Sequence, residues 1–192
     1  MKAQKLRMSY GNTKLPKTTA IFNMGAAHDC PSDRLGLCKV SAICYAKKAE
    51  RMYRQVLPYR RQQAKYWLTC TAEQFAADFR AAISRKRNKI TALRFNESGD
   101  FYGKACVAKL RQIAEMLPDI KIYMYTARRD LWDAGCFVGM PDNVTINGSG
   151  FMAHNEFIPV TEFHKGPKCP ADCRKCRKCQ VAAGKTIQVK IH

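Results

Sequence analysis

Short β-prone runs alternating with helical stretches constrain this chain more than any other feature. Thr18 to Asn23, Ile90 to Asn96, Ile120 to Thr126 and Asn143 to Asn147 are rich in residues that suit a pleated strand. Helical periodicity fills the intervals. Val40 to Gln55 and Tyr59 to Leu68 read as helices interrupted at Pro58. Thr71-Ala72-Glu73-Gln74 is a capping box, and Phe75, Ala76, Phe79, Ala82 and Ile83 share one face of the helix it opens. Val107, Leu110, Ile113, Ala114 and Leu117 mark another helix, ended by Pro118, and a short one follows near Asp130 to Ala134. Thr186 to Ile191 closes the chain with a period-two strand. Parallel neighbours need such crossovers, so the expected fold is α/β with parallel strands plus a cysteine-rich C-terminal segment. Residues 1–17 read as a basic arm, 18–160 as the α/β domain, and 161–192 as the cysteine-rich segment with the terminal strand.

The strand ends are polar: Asn96, Glu97, Ser98 and Asp100, then Thr126 and Arg128, then Asn147 and Ser149. Parallel α/β folds bind ligands at the carboxyl ends of their strands. One polar loop is ordinary; a succession of them favours a site.

Ten cysteines sharpen the reading. The basic start lacks the apolar core of a signal peptide, and no apolar run is long enough to span a bilayer. A cytoplasmic, reducing setting without membrane contact is therefore expected, and clustered cysteines there point to metal rather than disulfides. Cys30, Cys38 and Cys44, spaced C-x7-C-x5-C, lie between the first strand and the first helix. Three thiolates can hold three irons of a 4Fe-4S cluster and leave the fourth open to the amino and carboxylate groups of S-adenosylmethionine. A zinc knuckle or free thiols are the plainer readings. Cys169, Cys173, Cys176 and Cys179 place four soft ligands within eleven residues, closer to ferredoxin ligation than to zinc, whose pairs are usually set further apart. One of these thiolates could instead close the first cluster. Zinc, with His164 as a substitute ligand, is the alternative at this set. Cys70, Cys106 and Cys136 read as small buried apolar residues.

Four motifs carry a resemblance. Cys30-Pro31 with Cys38 to Lys48 (CKVSAICYAKK), Arg94 to Phe101 (RFNESGDF), Ile122 to Arg128 (IYMYTAR) and Val144 to Gly150 (VTINGSG) are similar to the phage gene product 88 family, from about Leu15 to the terminal cysteine run. That family resembles a reduced radical S-adenosylmethionine protein, which implies a partial (βα) barrel with parallel strands, although the cysteine gaps here are wider than C-x3-C-x2-C. The resemblance implies that Glu97, Ser98, Gly99 and Asp100 stand where such enzymes bind the methionine amino group, with Asn147 and Ser149 lining the same mouth. It also implies a reductant such as flavodoxin or ferredoxin, and a host cytoplasm for a phage-encoded chain.

Charge supports a different function. Lys and Arg number 34 against 15 acids, a formal net of +19 that attracts nucleic acid or another polyanion. Arg51, Arg54, Arg60, Arg61 and Lys65 interleave with Tyr53, Tyr59, Tyr66 and Trp67, a pattern suited to phosphates and stacked bases. The plainer reading is a solvated helix face with its aromatics turned inward. Arg174, Lys175, Arg177 and Lys178 would offset an anionic cluster at the second set. The leading expectation is an iron–sulfur protein resembling radical S-adenosylmethionine enzymes. The alternatives are a nucleic-acid-binding module with structural or redox-sensing iron–sulfur or zinc sites and no catalysis, or a zinc protein without a redox role.

Overall fold

A computed structural model describes residues 5–191. Seven strands form one sheet in sequence order: β1 (Ser9–Tyr10), β2 (Thr19–Phe22), β3 (Ala92–Phe95), β4 (Lys121–Thr126), β5 (Val144–Ser149), β6 (Asn155–Val160) and β7 (Thr186–Lys190). Among the described residues only β1 runs antiparallel; β2 to β7 are parallel throughout. Six helices complete the α/β fold: α1 (Pro31–Arg34), α2 (Tyr45–Met52), α3 (Val56–Thr69), α4 (Ala72–Ser84), α5 (Lys104–Met116) and α6 (Arg129–Asp133). Among the described residues β6 is the one strand that pairs with β7, whose other side carries an isolated bridge to Lys168, and β2 is flanked by β1, so the sheet is open and does not close into a barrel.

Four local expectations change. The helix expected from Val40 starts only at Tyr45, because Ser41–Ile43 form a 3-10 turn and Cys44 is extended. Pro58 does not interrupt a helix; it sits in the first turn of α3, where no intrahelical N–H is required of it. Residues 155–160 form a strand that periodicity did not reveal, because Pro159 weakens the pattern and the crossover from β5 has no helix. Gly148 makes that short return possible. A side chain there would collide with the Phe151 carbonyl as the chain doubles back. The expected basic arm is partly built into the sheet: Ser9 and Tyr10 pair with Ile21 and Ala20, and Leu15 is buried.

Alternation along each strand divides the sheet into two faces. The outer face carries Phe22, Leu93, Phe95, Ile122, Met124 and Ile146 against the helices. Phe75 of α4 packs edge-on against both Phe22 and Trp67 of α3 in this core. Thr71 caps α4 as expected, accepting from the Gln74 amide at 3.1 Å. Cys106 is buried, with Cys70 and Cys136 packed against the same core. The inner face carries Ala92, Arg94, Tyr123, Tyr125, Thr145, Asn147, Phe157 and Ile187. The cysteine-rich segment lies across it, with Cys169 and Cys179 packed beside Ala92, Tyr123, Phe157 and Ile187.

Candidate metal centres

The first cysteine set sits at the carboxyl ends of the parallel strands. Cys30 precedes α1, Cys44 precedes α2, and Cys38 is folded back by its amide bond to the Ser32 carbonyl. The three share one electrostatic neighbourhood. Cys38 adds to the field at Cys30, Cys44 to that at Cys38, and Lys47 faces both Cys44 and Cys30. Lys39 reaches Gly150, so the loop extends to the end of β5. Burial and the neighbouring Asp100 push the Cys30 thiol up to about 11, and burial also raises Cys38. A metal bound here would displace thiol protons, so its uptake would depend on pH.

Two buried carboxylates hold this loop. Glu50 of α2 accepts from the Ala27 amide at 2.8 Å, the His28 amide at 2.9 Å, Arg60 Nη1 at 2.8 Å and Ser98 Oγ at 3.2 Å. Burial alone would raise its pKa; the bonds from Arg60 and the two amides outweigh that and keep the carboxyl below its ordinary value. Asp100 accepts from Thr126 Oγ1 at 2.7 Å, the Ala127 and Phe101 amides at 2.8 Å each, and Ser32 Oγ. It therefore fastens the ends of β3 and β4 to the segment between Cys30 and Cys38.

The expected cofactor turn, Glu97 to Asp100, lies at this mouth with Ser149 at the end of β5. Ser98 donates its amide to Asn23 Oδ1 at 2.8 Å and is buried. Gly99, at φ +72°, packs so closely on the loop after β2 that a Cβ would fall 2.5 Å from the Gly25 carbonyl oxygen. Glu97 is half-buried; its side chain accepts from Asn12 at 3.0 Å and its carbonyl from the Tyr45 hydroxyl at 2.6 Å. Asn147 is placed differently. Its amide donates to the Met124 and Cys179 carbonyls at 2.9 Å each, and its oxygen accepts from Asn155, so it holds the cysteine-rich segment to the sheet.

The second set is drawn together from four directions. Cys169, Cys173, Cys176 and Cys179 line one cavity with Tyr125, Phe157, Lys178 and Ile187. Thr145 donates to the Gln180 carbonyl at 3.1 Å and Asn155 to the Val181 carbonyl at 2.8 Å. The Cys169 amide bonds to Gln188 of β7, and the Cys173 amide to Lys14 beyond the opposite edge. The Tyr125 hydroxyl and Arg94 stand near Cys179, where burial is the main influence and raises the thiol. His164 is exposed.

Both donor sets suit a soft metal or an iron–sulfur cluster, since thiolates are the ligands that iron–sulfur clusters and structural zinc share. Among the described residues, no three His, Cys, Asp or Glu are already gathered tightly enough to hold a metal ion. The chemical fit rests on residue type and on the shared neighbourhood of each set.

The basic segment is split by the fold. Arg51, Arg54, Arg61 and Lys65 are exposed. Arg60 is not: 6% exposed and paired with Glu50, it leaves the set that could meet phosphates. Tyr66 and Trp67 belong to the core, so they cannot stack on bases. Arg61 engages Asp29 at 2.7 Å.

Glu50 and Arg94 were not foreseen as site residues. Glu50 left a signal, as the lone acid between Lys47 and Lys65. Arg94 left another, as a charge inside an otherwise apolar parallel strand.

Among the described residues no helix is long and apolar enough to cross a membrane. No curated protein and no solved structure matches the chain. The sequence model of one family, described as gene product 88, matches residues 2–164, which takes in the first cysteine set and stops before the second. With most of its length matched, this chain belongs to the gene product 88 family.

Proposed function

We propose that this protein is an iron–sulfur protein of radical S-adenosylmethionine-like design. Cys30, Cys38 and Cys44 would hold a 4Fe-4S cluster at the mouth, and Cys169, Cys173, Cys176 and Cys179 a second cluster or metal on the inner face. One observation carries the reading: three thiols that share one electrostatic neighbourhood lie where the parallel strands end, the place at which such sheets bind ligands. The sequential parallel order of β2 to β7 is also that of a barrel wall, which supports the likeness at the level of topology.

A cluster with an open iron supplies one-electron chemistry to S-adenosylmethionine, given a reductant such as flavodoxin or ferredoxin. This chain's residues would do the rest. Glu97 and the turn around Gly99 would orient the methionine end, and Ser149 would line the opposite wall. Asp100 would act through the turn that it fixes, because its oxygens are engaged by Ser32, Thr126 and two amides. Asn147 would act on the second set by holding the Cys179 carbonyl.

The experiment is anaerobic purification, iron and sulfide analysis, and electron paramagnetic resonance of the reduced protein with and without S-adenosylmethionine. About eight irons per chain with a cofactor-sensitive spectrum is the expected result. Iron without spectral change removes the radical reading and keeps the cluster; stoichiometric zinc removes both.

A second reading, nucleic-acid binding, draws on the exposed Arg51, Arg54, Arg61 and Lys65 and the net charge of +19. Replacing Arg51 and Arg54 with Ala should then flatten the salt dependence of binding to single-stranded DNA or RNA. An unchanged slope excludes this face.

A further inference from the structure

The inner face of the sheet is short of acceptors. Among the described residues, five buried side-chain polar atoms have no hydrogen-bond partner, and four of them belong to this face or to the segment across it: Thr19 Oγ1, Arg94 Nε, Tyr123 OH and Gln180 Nε2. Thr19 is 0% exposed, Tyr123 1% and Gln180 6%. The register aligns Arg94 with Tyr123 on neighbouring strands, so their side chains share a side of the sheet. Gln180 is brought over them because Thr145, Asn147 and Asn155 hold the carbonyls of residues 179 to 181, and its side chain lies beside the Tyr123 hydroxyl without hydrogen-bond geometry. All four atoms can donate.

Arg94 is the costly member. Its guanidinium lies 5.3 Å over the Tyr125 ring, makes no ion pair among the described residues, and has Tyr45, Glu97, Cys173 and Cys179 in its electrostatic surroundings. An unpaired cation with its Nε sealed from solvent is unfavourable unless an anion meets it. Glu97 does not, because its carboxylate is turned to Asn12.

We propose that Arg94, with Tyr123 and Gln180, binds the anionic group of a small ligand, a phosphate or a carboxylate, where the inner face meets the cysteine-rich segment. Arg94 supplies the charge and a fixed fork of donors; Tyr123 and Gln180 supply neutral donors that fix orientation. The site lies between the two cysteine sets and takes its ligand whether or not either set carries a metal. It places the acidic group of a small substrate beneath the mouth at the strand ends.

Calorimetric titration of the full chain with inorganic phosphate and, separately, malonate tests this at about 150 mM salt, where loose attraction to a basic surface is screened. One-to-one saturable binding of at least one anion is expected, and the preferred anion tells phosphate from carboxylate. Arg94→Gln should weaken it by about tenfold or more, and Tyr123→Phe by about three- to tenfold. Arg87→Gln, on an exposed turn, should change nothing. Tyr123→Phe removes an unpartnered hydroxyl, so the fold should be as stable as before and the test survives even if Arg94→Gln does not fold. Absence of saturable binding by both anions overturns the proposal, as does wild-type affinity in Tyr123→Phe. Slower metal uptake in Arg94→Gln with unchanged anion binding also overturns it, because the guanidinium would then serve the Cys173 and Cys179 thiolates.

Discussion

The two cysteine sets are held by different physics. The first is fastened by buried charge: Glu50 with Arg60, and Asp100 with hydroxyls and amides, tie the segment from Ala27 to Cys38 to the strand ends. The second is fastened by neutral groups: Thr145, Asn147 and Asn155 donate to main-chain carbonyls of a segment that offers the core little beyond Cys169 and Cys179. A charged network with one member removed leaves a stranded charge, whereas a neutral latch loses its bonds one at a time. The first set is accordingly built into the fold, and the second is laid upon it. The family match divides the chain at the same place, covering the first set and ending before Cys169.

The sharpest way to break this contrast is to delete ligands. Cys38→Ala should abolish metal at the first set and leave the second, and Cys176→Ala should do the reverse, as read by metal analysis per chain. Loss at both sets from either change would mean one shared centre. Next in size, Glu50→Ala should cost about 3–5 kcal/mol in denaturant unfolding, because it strands the buried Arg60. The same carboxylate sets an acid limb. Its folded pKa lies below its unfolded one, so its stabilisation is complete above the unfolded carboxylate range and is lost as pH falls through the folded value. Glu50→Gln should flatten stability against pH below about 4.5; an acid limb like that of the wild type would move the titration elsewhere.

Smaller effects belong to the latch and the surface. Asn147→Ala should cost about 1–3 kcal/mol and speed proteolysis between residues 165 and 185, with the first set unaffected. Equal loss of metal at both sets would show that they are coupled through the sheet. Arg61→Ala, which breaks an exposed pair with Asp29, should cost less than about 1 kcal/mol. A cost near that of Glu50→Ala would erase the distinction between buried and exposed charge on which the contrast stands.

Much of the frame was legible. The runs that became β2, β3, β4, β5 and β7, the Thr71 cap and the outer-face positions of α4 and α5 follow from periods of 2 and 3.6. The strand β6 was not, because a parallel neighbour reached without a helix gives no crossover pattern, and Pro159 interrupts the run. The start of α2 was misplaced because the turn around Cys44 obeys the packing of the first cysteine loop rather than local propensity. Arg60 read as a surface cation because composition cannot tell a charge that finds a buried partner from one that finds water.

The sequence by itself determined the alternation of strand and helix, the membership of the two cysteine sets and the polar character of the strand ends. Each is a matter of residue type and short-range spacing. Only the tertiary structure decided that Asp100 fastens Ser32 across 68 residues, that Asn147 holds the Cys179 carbonyl across 32, and that Arg94 faces an interior without an acceptor. Those outcomes depend on which distant groups the packed sheet brings together, and a partner's distance along the chain leaves no trace in local periodicity.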